Sequence, residues 1–86
     1  MSGPEAKNKA QVQICGDEYV IKGAADSEYI VALAAMVDEK MRDIQRRNPT
    51  LPRHRIAILA AINLADELTR ARRENQELVK FLEELK

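Results

Sequence analysis

The stretch RHRIAILAAINLADELTRARRENQELVKFLEELK, residues 53–86, contains neither glycine nor proline and consists largely of strong helix formers. One long helix is therefore expected. Its apolar pattern changes along its length. Ile56-Ala57-Ile58-Leu59-Ala60-Ala61-Ile62 is apolar on every face, as in a helix surrounded by other elements, and this burial in a head is expected to reach about residue 65. Beyond it the stripe narrows. Ala57, Ala61, Leu64, Leu68, Ala71, Asn75, Leu78, Leu82 and Leu85 alternate steps of four and three, the a/d seam of a left-handed coiled coil. Ala61, Leu68, Asn75 and Leu82 fall at a; Ala57, Leu64, Ala71, Leu78 and Leu85 fall at d. An amide at Asn75 specifies register, because a seam that left it without a partner would cost about 1–3 kcal/mol. Glu67 at g and Arg72 at e of the next heptad stand in the relation that permits an ion pair between parallel helices. The seam does not by itself choose between dimer and tetramer, or between parallel and antiparallel strands, since alanine occupies half of its early positions.

Upstream, Asn48-Pro49 and Leu51-Pro52 interrupt any helix, because the residue before proline disfavours the α region and proline lacks an N–H. Before that break Ile30, Leu33, Val37, Met41 and Ile44 recur at spacings of three and four, which predicts an amphipathic helix over about 26–48. Asp26 or Ser27 is its expected cap, with Glu28 at the positive end of the macrodipole. Asp38 with Arg42, and Asp43 with Arg47, are expected pairs on its solvent side. Over residues 11–22, Val12 and Ile14 alternate with glutamines, and Tyr19, Val20 and Ile21 follow Gly16-Asp17, which reads as a β-hairpin. With Gly16 and Asp17 as the loop, Cys15 faces Glu18, Ile14 faces Tyr19 and Val12 faces Ile21. An isolated hairpin is marginal in water, so its apolar face needs a helix over it. Residues 1–10 lack periodicity and are expected to be a disordered tail. The expected fold is α+β: a small head of hairpin plus one amphipathic helix over residues 11–52, then a long C-terminal coiled-coil helix, in an oligomer.

Composition narrows the function. A chain of 86 residues with 14 basic and 14 acidic side chains has no net charge to attract nucleic acid or an anionic membrane. So short a chain buries too little surface for a deep catalytic pocket, and partner chains are expected to supply part of the core. The single cysteine excludes a disulfide framework; the lack of a signal-peptide pattern points to the reducing cytosol, and no apolar run is long enough to span a bilayer. No phosphate loop, paired histidine or cysteine cluster is present, so no catalytic residue, cofactor or metal ligand is expected. His54 reads as a solvated or capping residue, and Cys15, with no adjacent cation to activate it, as a structural thiol. The carboxylate pairs Asp38-Glu39 and Asp66-Glu67 occupy adjacent helix positions and cannot converge on one reacting group. Arg46, Arg47, Arg53, His54 and Arg55 surround the break between the helices and form the one concentrated charge. A nucleic-acid reader would want interleaved aromatics or a longer basic segment, so an acidic protein surface is the expected partner of this cluster, with a coiled-coil nucleic-acid-binding protein as the alternative.

Three segments taken together carry a resemblance: Ile14-Cys15-Gly16-Asp17-Glu18-Tyr19-Val20-Ile21, Val37-Asp38-Glu39-Lys40-Met41, and Leu59-Ala60-Ala61-Ile62-Asn63-Leu64-Ala65-Asp66-Glu67-Leu68. Their order and spacing resemble the ZapA family of bacterial cell-division proteins, which associate with the tubulin-like GTPase FtsZ. The short helix after Leu68 is similar to the compact form of the family, and Cys15 stands where larger apolar residues are commoner. The resemblance implies a non-enzymatic factor of the division septum that bridges and aligns FtsZ protofilaments. It further implies a homodimer able to pair into an antiparallel tetramer, with charged head residues contacting FtsZ. Arg46 and Arg47 match a basic stretch of the family, and Arg53 and Arg55 lie in the same cluster. Ala61, Leu64, Leu68, Ala71, Asn75, Leu78, Leu82 and Leu85 are the expected oligomerisation residues.

Overall fold

The computed structural model describes residues 8–85. Strand β1 (Asn8–Ile14) and strand β2 (Asp17–Gly23) form an antiparallel hairpin; helix α1 (Ser27–Arg47) and helix α2 (Arg53–Glu84) follow. The hairpin begins earlier than its sequence suggested. Asn8 pairs with Gly23, Lys9 with Lys22 and Ala10 with Ile21. The Asn8 side-chain amide also donates to the Ala25 carbonyl at 2.8 Å, which ties the strand to the loop before α1. Residues 8–10 are thus strand rather than tail, while the expected disorder of residues 1–7 lies outside the described residues.

The register also differs from expectation. Ile14 pairs with Asp17, Gln13 with Glu18 and Val12 with Tyr19, so the loop is Cys15-Gly16 rather than Gly16-Asp17. Both loop residues have positive φ, 53° at Cys15 and 88° at Gly16, the requirement of a type I′ turn whose twist suits a hairpin. A non-glycine residue is tolerated there because the turn is held from below. The Cys15 N–H donates to Asp38 Oδ1 of α1 at 2.7 Å, and the Cys15 side chain is buried among Met41, Ile44, Ile56 and Ala60. The slip moves each partner by two residues, so the apolar set stays on one face.

Two small clusters make the core. Ala10 and Val12 of β1 pack on Ile30 and Ala34 of α1, and Cys15 joins Met41, Ile44, Ile56 and Ala60 where the helices meet. Val37 is partly buried, but Leu33 is exposed and Ala34 takes the expected place of Leu33 in the buried stripe. The reason is closeness: a strand lies directly on this part of α1, and alanine lets the backbones approach. Asp26 occupies the N-cap position without a side-chain hydrogen bond, and α1 ends where Asn48 precedes proline, its N–H donating to the Ile44 and Gln45 carbonyls. The Asp38–Arg42 pair forms at 2.9 Å, whereas Asp43 pairs with Arg46, not with Arg47.

Asp38 locks turn to helix. Accepting the Cys15 N–H, and secondarily the Arg42 guanidinium, holds its carboxyl below the ordinary aspartate value of 3.8. A depressed carboxyl means that the unfolded chain binds more protons in acid. Its contribution is therefore present above the ordinary value and is lost as pH falls through the depressed one. Asp38→Asn is expected to flatten the acid limb of the stability profile, and circular-dichroism melts from about pH 7 to about pH 2 check it.

Candidate functional site

Helix α2 presents the largest feature. Own-chain packing buries only Ile56 and Ala60 on it and half-buries Leu64. The expected burial of residues 56–65 on all sides is thus not met within one chain: Ala57, Ile58, Leu59, Ala61 and Ile62 are open. Further along, Leu68 is 52%, Leu78 55%, Leu82 54% and Leu85 66% exposed. At 3.6 residues per turn, Ile56 and Ala60 face the chain's own α1, while Ala57, Ala61, Leu64 and Leu68 form the adjoining face, of which this chain half-covers Leu64 and leaves Ala57, Ala61 and Leu68 exposed. The residues singled out as a seam, Ala61, Leu64, Leu68, Ala71, Asn75, Leu78, Leu82 and Leu85, lie along one helix.

Glu67 does not await a second chain. It accepts an ion pair from Lys40 of the same chain, tying α1 to α2. An interchain pair between Glu67 and Arg72 would share this carboxylate with Lys40.

The arginine cluster lies around the connector between α1 and α2. The structure brings Arg46 and Arg47 to the last turn of α1, and Arg53, His54 and Arg55 to the first turn of α2, all exposed. Two of the four arginines are engaged: Arg46 with Asp43, and Arg53 with Asp17 of the hairpin, whose carboxylate holds the guanidinium still more firmly protonated. Arg47 and Arg55 make no ion pair among the described residues. His54 stands at the rim of a groove rather than among catalytic partners.

That groove escaped the sequence reading. Ile14, Tyr19, Val20, Ile21, Met41 and Ala57 line a cleft of about 570 Å³ beneath β2, with Arg53 and His54 at its edge. Its lining comes from both strands, from α1 through Met41 and from the start of α2, while the main contact of α1 with the sheet is made to β1. Also unnoticed were Val79 and Phe81 beside the seam; they are exposed, as are Ile58 and Ile62 of the all-round apolar run. A signal was available for Val79 and Phe81: five of the eight residues from 78 to 85 are apolar, wider than an a/d stripe. Among the described residues no cluster of three or more potential metal ligands occurs, and no helix is long and apolar enough to cross a membrane.

An open apolar seam on a long helix, a small incomplete head and a separate cationic cluster define an adaptor that works by assembly. Comparison with known proteins agrees. Residues 10–86 match the family model described as cell division protein ZapA. The cell division protein ZapA of Geobacillus sp. (strain WCH70) is 36% identical over 78 residues, covering 91% of this chain and 90% of the relative. That of Bacillus anthracis is 33% identical over 72 residues, covering 84% and 81%. A solved structure, a ZapA mutant dimer from Geobacillus stearothermophilus, superposes with a TM-score of 0.69 at 32% identity over 95% of this chain and 93% of that one. The chain belongs to the ZapA family of cell-division proteins, and is by that membership a non-enzymatic scaffolding factor with a hairpin head and a coiled-coil helix.

Proposed function

We propose that this chain is a cytoplasmic crosslinker of FtsZ polymers at the division septum, working as a homodimer able to pair into a tetramer. The observation that carries the reading is the separation of two surfaces. The apolar seam of α2 runs away from the head, while the arginines cluster around the connector at the head. Joining chains through the seam leaves each head free, so one particle carries several copies of the same cationic cluster, Arg46, Arg47, Arg53 and Arg55.

One weak site per chain is enough. Once the first site is bound the next contact is effectively intramolecular, and avidity rises by about 10²–10⁴ without new chemistry. Weak single contacts keep the crosslinks reversible. The partner surface is acidic, as the arginines require.

Cosedimentation with FtsZ filaments and, separately, with random duplex DNA tests this. FtsZ is expected to carry the protein down at about 0.1 M salt and to release it at about 1 M, where the Debye length falls from about 10 Å to about 3 Å. DNA is expected to carry down little at either. Preference for DNA would overturn the reading in favour of a nucleic-acid adaptor.

A further inference from the structure

Two of the four arginines in the cationic cluster already hold carboxylates of their own chain. Arg53 donates to Asp17 at the start of β2, and Arg46 donates to Asp43 one turn back on α1. Both pairs lie in the open, their four side chains being between 43% and 68% exposed. An ion pair so exposed holds by a small margin and exchanges readily with other ions.

The Asp17 pair is not what fastens the hairpin. The turn is held from beneath, by the Cys15 N–H on Asp38 and by the Cys15 side chain buried among Met41, Ile44, Ile56 and Ala60. Asp17 can therefore leave Arg53 without releasing the strand. What the pair does is supply a charge that α2 lacks. The helix starts after Pro52 with no side-chain cap, and its first turn holds Arg53, His54 and Arg55 and no acid. A carboxylate is favoured at such a helix start, and the one that stands there comes from the hairpin, 36 residues away in sequence. The seat thereby shows which group it takes. Arg47 and Arg55 flank these two pairs and make no ion pair among the described residues.

We propose that Asp17 and Asp43 are built-in competitors for the carboxylates of an acidic protein partner, and that they set the affinity of each head. This rests on the reading that the arginine cluster is the partner's contact surface. In the free chain Arg47 and Arg55 are open and steer the partner in. Its carboxylates then take Arg53 from Asp17 and Arg46 from Asp43. Each exchange gives up one exposed pair, which lowers affinity by about 1.4- to 5-fold. The displaced carboxylates stay close and repel the same partner. Each single contact is thereby kept weak.

Asp17→Asn and Asp43→Asn are each expected to tighten binding of a fluorescein-labelled octaglutamate peptide by about 1.4- to 5-fold, and together by about 2- to 25-fold, read by anisotropy at about 0.1 M salt. One substitution lies in the hairpin and the other in a helix, so each tests the proposal without the other's fold. Glu77→Gln makes the same change of net charge on the exposed surface of α2, about 36 Å from Arg53 at 1.5 Å per residue and several Debye lengths away, and is expected to leave binding unchanged. In an Arg53→Gln chain the gain from Asp17→Asn is expected to shrink, because no pair is left to break. An equal gain in both backgrounds, or no gain beyond that of Glu77→Gln, overturns the proposal, as does a chain that binds no octaglutamate. FtsZ cosedimentation of the same series answers a separate question. If octaglutamate follows the expected order while FtsZ filaments carry down no variant, the competitors stand and the FtsZ reading falls.

Discussion

Replacing Arg46 and Arg47 together by Glu is expected to abolish cosedimentation with FtsZ filaments while leaving helix content and particle mass unchanged. Both side chains are exposed at the last turn of α1, outside both core clusters, so the fold does not depend on their packing. The local cost is bounded. Reversal replaces the Asp43 pair and a favourable dipole position, about 0.2–0.5 and about 0.3–1 kcal/mol, by repulsions of similar size, so that each counts about twice. On the proposed reading the interaction is expected to lose more, because each head would then repel the acidic partner that its arginines attract, and the loss would multiply over every head on the particle. Arg46→Gln with Arg47→Gln separates the two contributions. It removes attraction without adding repulsion and is expected to weaken bundling and its salt dependence without abolishing residual binding. If the double Glu variant binds and bundles as wild type does, the arginines are a solvated connector and FtsZ is contacted elsewhere.

Leu68→Glu or Leu78→Glu is expected to break the particle rather than the chain. In the isolated chain Leu68 and Leu78 are 52% and 55% exposed, so a carboxylate there is solvated and costs the monomer little. In the assembled seam the same carboxylate is buried without a partner, a penalty of several kcal/mol per ion. Association should weaken by at least about 10²-fold, since each 1.4 kcal/mol is a factor of ten. Stability follows association. Among the described residues only nine hydrophobic side chains are buried, split between two clusters, too small a core to offset the ordering entropy of the chain. The wild-type melting temperature should therefore rise with protein concentration, as mass action requires of a coupled fold, and both variants should melt far lower at equal concentration. Sedimentation and melting over a hundredfold dilution check this. A melt independent of concentration would show that the head is stable alone.

The two predictions separate functions that the molecule keeps apart. The arginine variant is expected to stay assembled and not to hold FtsZ. The seam variant keeps its arginines and is expected to lose the avidity on which weak sites would depend.

Elements set by local chemistry were readable from residue order. The proline pairs at 48–52 stop one helix and start the next, and the absence of glycine and proline from residue 53 onward commits the chain to a long helix whatever surrounds it. The a/d spacing was equally legible, because it depends only on the helical period, and three short segments sufficed for the family.

Tertiary structure decided what depends on distant partners. The hairpin register turned on Asp38, which lies 23 residues from Cys15 in sequence and holds the Cys15 N–H, permitting a left-handed cysteine that turn statistics disfavour. Leu33 lost its place to Ala34 because β1 lies too close for a larger side chain. Glu67 was free in the sequence and engaged in the fold, because Lys40 reaches it only once α1 folds back along α2. The groove beneath β2 could not be read at all. It is made where both strands, α1 and the start of α2 come together, and an empty space between elements has no residue in the sequence to mark it.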